Sequence, residues 1–262
     1  MSPAADPDAF ISFAVQSGSN GNCIYVAAGG TSLLIDAGVS GVCAQRRLAA
    51  RGVDIRRIDA LLLSHDHSDH SGGAGVFHRK YGLPLYATRP TARAIADRLG
   101  TVADLRHFAA GESFEIGALT VHTQPTPHDG VDGVCFVLEH AGRRLGVLTD
   151  LGFVFPELEE LLPQLDGVYL ESNYDPDMLQ DGPYPWWLKQ RIRGDGGHLA
   201  NAEAAALLDE CTDSRLRWAV LAHLSESNNT PELALDCARA RVRRPLAISV
   251  ASRYDASDTM RL

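Results

Sequence analysis

Leu61-Leu62-Leu63-Ser64-His65-Asp66-His67-Ser68-Asp69-His70 runs from apolar residues straight into a cluster of metal-ligating side chains. Ala60 to Leu63 suits a buried strand, and ligands gather in the loop just past such a strand's carboxyl end. In an extended segment, alternation points His65, His67 and Asp69 to one side, and a turn begun at Ser68 swings His70 round beside them. Four ligands in six residues exceed what one divalent ion usually takes from a single loop, so two divalent ions are expected. Histidine and carboxylate suit zinc or manganese, with iron also accommodated, and the lack of Cys speaks against a purely structural thiolate zinc site. The competing reading is a polar loop that caps a helix starting near Ser71. Capping, however, needs one short polar residue and not three imidazoles.

The HxHxDH pattern after an apolar strand resembles the signature of the metallo-β-lactamase fold superfamily. Further stretches look like its YycJ/WalJ subfamily: Gly18-Ser19-Asn20-Gly21-Asn22-Cys23, Leu34-Ile35-Asp36-Ala37-Gly38, Glu171-Ser172-Asn173, Pro183-Tyr184-Pro185-Trp186, Gly197-His198-Leu199 and Ala222-His223-Leu224-Ser225. The likeness runs from about Gly18 to Leu235. It implies an α/β fold of four layers, an αββα sandwich, and a metal-dependent hydrolase.

Composition sets the outer bounds. At 262 residues, with 45% hydrophobic and 22% charged residues, the chain reads as one globular domain over 1–262, its ordered core about 10–250. No run is long and apolar enough for a membrane helix, and the polar, acidic Met1 to Asp8 is no signal peptide. The five cysteines are odd in number, widely spaced and never in a CxxC arrangement, which points to a reducing cytoplasm. A net charge of −9 does not advertise nucleic-acid binding, although part of it sits on residues whose metal ions would neutralise it.

Along the chain, strands are expected at Phe10 to Val15 and Cys23 to Val26, joined by a polar Gly-rich loop whose amides could instead cradle a phosphate. Leu33 to Ile35 leads to Asp36. The resemblance implies that Asp36 sits behind the metal site and orients a ligand imidazole; the alternative is a turn-forming Asx residue. Val42 to Arg51 reads as a surface helix with Arg46, Arg47 and Arg51 on a solvated face. A β-rich middle flanked by helix-rich ends fits two sheets sandwiched between helices. The tail from Ala251 onward looks frayed and is assigned nothing.

Two residues of the middle section are ligand candidates. His128 sits in the Pro-stiffened Pro125-Thr126-Pro127-His128-Asp129, and Asp150 ends the strand at Gly146 to Thr149. Sequence chemistry alone leaves both open; the family pattern makes His128 a ligand and Asp150 the bridge. Sorted by that pattern, His65, His67 and His128 hold one ion, and Asp69, His70 and His223 hold the other. Such a pair lies about 3.5–4 Å apart and holds a hydroxide that is a strong nucleophile at neutral pH. Glu171 and His198 match in order and context a pair found in the ribonuclease Z group, although their flanking residues differ. There, His198 held protonated by Glu171 would protonate a leaving alkoxide; the alternative is a structural hydrogen bond. The catalytic group is thus Asp69, Asp150, Glu171 and His198.

Trp186 and Trp187 beside Lys189, Arg191 and Arg193 could stack on bases and contact phosphates. They fit equally the core and snorkelling surface of one amphipathic segment, the favoured of the two readings. The resulting expectation is a dinuclear phosphodiesterase. The resemblance implies a 5′ to 3′ exonuclease on double-stranded DNA, with DNA as partner and no membrane. The alternatives are a small-molecule phosphodiesterase, a glyoxalase II-like thioester hydrolase, or a non-catalytic regulator on the same fold.

Overall fold

The computed structural model describes residues 9–211 and 214–262, so the reading of Met1 to Asp8 lies outside the described residues. The strands fall into two sheets that divide the chain almost in half. The first contains β1 (Ile11–Gln16), β2 (Cys23–Ala28), β3 (Thr31–Ile35), β4 (Ala60–Leu62), β5 (Leu85–Thr88) and β6 (Leu105–Phe108). The second contains β7 (Ser113–Ile116), β8 (Leu119–Pro125), β9 (Val134–His140), β10 (Arg143–Leu148), β11 (Gly167–Glu171), β12 (Trp218–Ala222) and β13 (Ala247–Val250). The last strand, β14 (Met260–Arg261), returns to the first sheet and pairs antiparallel with β1.

In the central strands β4, β11 and β12 nearly every residue is apolar and buried, so both faces are covered, whereas edge strands such as β7 and β13 expose alternate positions. In β3 and β4, Leu33, Ile35, Ala60 and Leu62 enter the core between the sheets. Leu34, Leu61 and Leu63 point the other way, onto a helical layer that includes Ala44, Leu48, Phe77 and Ile95. The second sheet repeats this: Tyr169, Trp218 and Val220 face inward. Val168, Leu170, Ala219 and Leu221 face a layer including Leu158, Ala204, Leu208 and Ala234. These are the four layers of the αββα sandwich.

Strands β3, β4 and β5 run parallel, as do β10, β11 and β12, so their carboxyl ends gather on one rim. That rim carries the site.

Two expectations are corrected. The tail is not frayed: β14 pairs with β1, Ala251 and Arg253 are buried, and Arg253 donates to the Leu224 carbonyl at 2.7 Å. Arg47 is not on a solvated face; it is buried and reaches the carbonyls of Val15 and Tyr254, so it fastens the tail to the first sheet. A cation reads as surface in sequence, but its guanidinium can satisfy several buried carbonyls at once.

Candidate metal centre

Except for His198, which lies in the loop after the Trp186–Arg193 helix, each site residue sits at or just past a strand end. Asp36 follows β3, the His65 to His70 loop follows β4, His128 follows β8, Asp150 follows β10, Glu171 ends β11 and His223 follows β12. His65 and His67 lie in extended chain, but Ser68–Ser71 forms a single helical turn, so Asp69 and His70 are presented from a turn and not by strand alternation. The main chain at Asp36, Asp150 and His223 is left-handed, with φ of 63°, 57° and 56°. Such a conformation is costly for a residue with a Cβ and persists where the surroundings over-determine it, often at functional sites. Here it ends three strands abruptly and turns their last side chains into one place. Close approach behind the ligand loop requires glycine: a Cβ on Gly38 would lie 1.6 Å from the Asp69 carbonyl oxygen.

The donor atoms converge. His65, His67 and His128 offer ligand atoms within 4.8 Å of one another, and so do Asp69, His70 and His223. Asp150 lies between the two sets, with Oδ2 3.1 Å from His70 Nε2 and Oδ1 3.5 Å from His223 Nε2 and 3.6 Å from His128 Nε2. Ring nitrogens face one another across the cluster: His128 Nε2 and His67 Nδ1 at 3.2 Å, His70 Nε2 and His223 Nε2 at 3.4 Å.

Outer contacts fix the rings. His70 Nδ1 donates to Asp36 Oδ2 at 2.7 Å, and Ser64 donates to the same carboxylate from its N–H at 2.8 Å and its Oγ at 2.9 Å. His128 Nδ1 donates to the Gly197 carbonyl at 2.7 Å, so its proton sits there and Nε2 faces the cluster with a free lone pair. Asn173 Nδ2 donates to the His223 carbonyl at 2.8 Å, and the Asn22 N–H supports the ligand loop through the Asp69 carbonyl at 2.8 Å. Asn22 and Asn173 lie in the quoted stretches, but nothing in the sequence separated them from ordinary turn residues. Ser64 gave no signal beyond its place next to His65.

Charge balance in this buried cluster is strongly coupled. Burial works against the charge of Asp69 and Asp150, yet neighbouring His70 and His223 hold both carboxyls well below the usual range. Burial likewise opposes charge on His70 and His223, but Asp150 outweighs it, helped by Asp36 and Asp69 at His70 and by Asp69 and Glu171 at His223. His65 and His128 are pushed down by burial and stay neutral. Glu171 is fully buried, yet beside His198 its pKa falls to about 2. Its Oε1 accepts from His198 Nδ1 at 2.7 Å, and its Oε2 accepts the Leu151 N–H at 2.8 Å.

These residues fit divalent metal. Among the described residues, buried His65 Nε2 has no hydrogen-bond partner, and Asp150 Oδ2 has none of good geometry. Imidazole nitrogens, neutral at His65 and His128, and ionised carboxylates converge on common points, as hard-to-borderline cations require once His70 and His223 give up their protons.

The structure does not bring every expected contact to the cluster. Trp186 and Trp187 are each 66% exposed at the start of the Trp186–Arg193 helix, so the reading of them as core is corrected. The inward face of that helix is taken by Leu188 and Ile192, which pack on Tyr174, Leu179 and Ala200. Lys189 donates to the Gln180 carbonyl at 2.6 Å, and Arg193 donates to Gln180 Oε1 at 2.9 Å. Arg191 grips both oxygens of Asp129, at 2.6 and 2.9 Å.

A two-sheet sandwich with this histidine and aspartate cluster on its strand-end rim defines a hydrolase of the metallo-β-lactamase fold. The family profile described as "Beta-lactamase superfamily domain" matches residues 31–223, and the chain belongs to that superfamily and, within it, to the YycJ/WalJ subfamily. It is 34% identical over 222 residues to exodeoxyribonuclease YycJ of Bacillus anthracis, covering 84% of each chain. It is 36% identical over 224 residues to exodeoxyribonuclease WalJ of Streptococcus pneumoniae serotype 2, covering 84% of this chain and 83% of that one. In fold it is similar to the metallo-β-lactamase fold protein YhfI of Bacillus subtilis, with a TM-score of 0.75 at 16% identity, covering 97% of this chain and all of that one.

Proposed function

We propose that this chain is a dinuclear metal-dependent phosphodiesterase that degrades double-stranded DNA from the 5′ end. The observation that carries this reading is the pair of three-residue donor sets joined by Asp150. His65, His67 and His128 would hold one ion, Asp69, His70 and His223 the other, and Asp150 would be shared. Two bound ions, zinc or manganese by donor type, supply an acidified water as nucleophile and stabilise charge building on the phosphate.

The protein's own groups do the rest. Asp36 and Ser64 lock the His70 ring. Of Asp36, Asp69, Asp150 and Glu171, only the Asp69 carboxylate reaches solvent, with 24% exposure, so it stands where substrate and water arrive. His198 is partly exposed and its Nδ1 proton is held by the Glu171 carboxylate, whose charge favours a doubly protonated ring; in that form Nε2 would give its proton to the departing alkoxide. A DNA substrate is supported by the names of the two relatives, both exodeoxyribonucleases. Five free cysteines fit a reducing cytoplasm, and among the described residues no helix is long and apolar enough to cross a membrane.

The test is digestion of end-labelled duplex DNA with manganese or zinc, comparing wild type with Asp150→Ala. Nucleotide release from the 5′ end by wild type alone is the expected result. No digestion by a folded, metal-loaded protein would overturn the reading in favour of a small phosphodiester or a thioester.

A further inference from the structure

We infer that Trp187, with Trp186 beside it, is a stacking platform for unpaired nucleobases at the mouth of the metal centre, and that it selects nucleic-acid ends whose terminal bases are splayed apart. The inference rests on the nucleic-acid phosphodiesterase reading and adds how the substrate is held.

Its basis is the position of one helical face. Trp187 and Arg191 are four residues apart on the Trp186–Arg193 helix, so they share a face with Cβ atoms about 6 Å apart. Arg191 clamps Asp129, whose Oδ1 lies 3.5 Å from His67 Nε2 and 3.6 Å from His128 Nε2. Trp187 is therefore one helical turn from a guanidinium anchored at the first donor set. The far end of the same helix continues into the loop that fixes the site. His198 N–H donates to the Ile192 carbonyl at 3.0 Å, and the Gly197 carbonyl holds His128. Both indoles are 66% exposed, while Leu188 and Ile192 hold the helix down, so the tryptophans stand on an anchored element and not on a loose one.

The chemistry points to bases in preference to phosphates. All three cations of the helix are already engaged by protein oxygens, and the chain carries a net charge of −9. Charge is a weak means of holding a polyanion here. An indole face accepts any base, because every base has a π-surface, but only once that base has left its pair. Continuity with the metal centre assigns the exposed aromatic pair to the substrate in preference to a protein or lipid surface.

The test uses the full-length, metal-loaded protein and three substrates: a blunt duplex, the same duplex with mismatched terminal pairs, and bis(4-nitrophenyl) phosphate. Expected are quenching of indole fluorescence by oligothymidylate and a lower KM for the mismatched end than for the blunt end. Trp187→Ala should lower kcat/KM on the mismatched duplex relative to the chromogenic diester by about tenfold, the size of one lost base–aromatic stack, and Trp187→Phe should recover most of it. Parallel losses on both substrates, or an unchanged ratio, would overturn the inference. So would a self-association or a vesicle binding that Trp187→Ala abolishes while oligothymidylate leaves the fluorescence untouched. If wild type cleaves the chromogenic diester but not DNA, the exonuclease reading fails on its own. Quenching by oligothymidylate would then still support the platform, and its absence would remove both.

Discussion

Glu171 Oε1 lies 2.7 Å from His198 Nδ1, and the carboxylate that holds this histidine is completely buried. Two roles fit that geometry, proton donation to a leaving group and a structural tie across the site, and they separate by leaving group. An alkoxide needs a proton as it departs, whereas nitrophenolate is stable without one. With His198 as the acid, His198→Ala loses about a hundredfold or more in kcat/KM on DNA but under about tenfold on bis(4-nitrophenyl) phosphate. Steady-state kinetics on both substrates make the comparison, and equal losses would leave only the structural tie. Glu171→Gln should follow the same pattern more weakly, because its remaining oxygen can still accept from His198 while the charge and the acceptor for the Leu151 N–H are lost.

Metal loading should release protons. In the metal-free cluster burial opposes a charge on His223, but Asp150, with Asp69 and Glu171, overrides it and raises the pKa from 6.5 to about 10. Raised on folding, this group stabilises the metal-free fold fully below its ordinary pKa of 6.5 and loses that contribution as pH rises through about 10. His70 is raised as well. At neutral pH an incoming cation must displace these protons, so roughly one to two are released per protein and apparent metal affinity climbs with pH. Calorimetry of zinc or manganese binding in buffers of different ionisation enthalpy counts them. A proton count near zero at neutral pH would mean that His223 and His70 enter the metal-binding reaction already neutral.

How much of this was legible in the sequence follows from where the information sits. The junctions at Leu63–His65 and Ala222–His223, where an apolar strand ends in a metal-binding side-chain type, are local and show in the apolar patterning; at Thr149–Asp150 the same pattern left the acid open, and only the family resemblance singled it out. The left-handed backbone at Asp36, Asp150 and His223 leaves no local trace, because none of the three is glycine. It is imposed by what surrounds them. The same holds for Asp129, whose partners His67 and Arg191 come from segments distant in the chain. The Trp186–Arg193 helix shows the limit most clearly. Its sequence carries apolar and cationic residues in one amphipathic stretch, but only the packing of Leu188 and Ile192 determines that the indoles are left outside. The tail misled for the opposite reason: β14 is two residues long, too short for any pattern, and it is held by distant Arg47, Arg51 and β1.

Asp36 offers a test that separates its two possible roles. Its carboxylate accepts from His70 Nδ1 and twice from Ser64, while its backbone turns through φ 63°. Asn tolerates that backbone at least as well as Asp, so Asp36→Asn removes the charge and one acceptor while sparing the turn. If Asp36 orients the His70 ring, Asp36→Asn weakens metal binding about 10- to 100-fold while lowering metal-free stability less than Asp36→Ala does, since one oxygen still accepts. Asp36→Ala weakens metal binding at least as much and also destabilises the fold by about 1–3 kcal/mol, since buried Ser64 and His70 donors lose their acceptor. Chelator competition gives the affinity and thermal unfolding gives the stability. Wild-type metal affinity in Asp36→Asn, with destabilisation confined to Asp36→Ala, would reduce Asp36 to a turn residue. The ring of His70 would then owe its orientation to the packing of the Ser68–Ser71 turn alone.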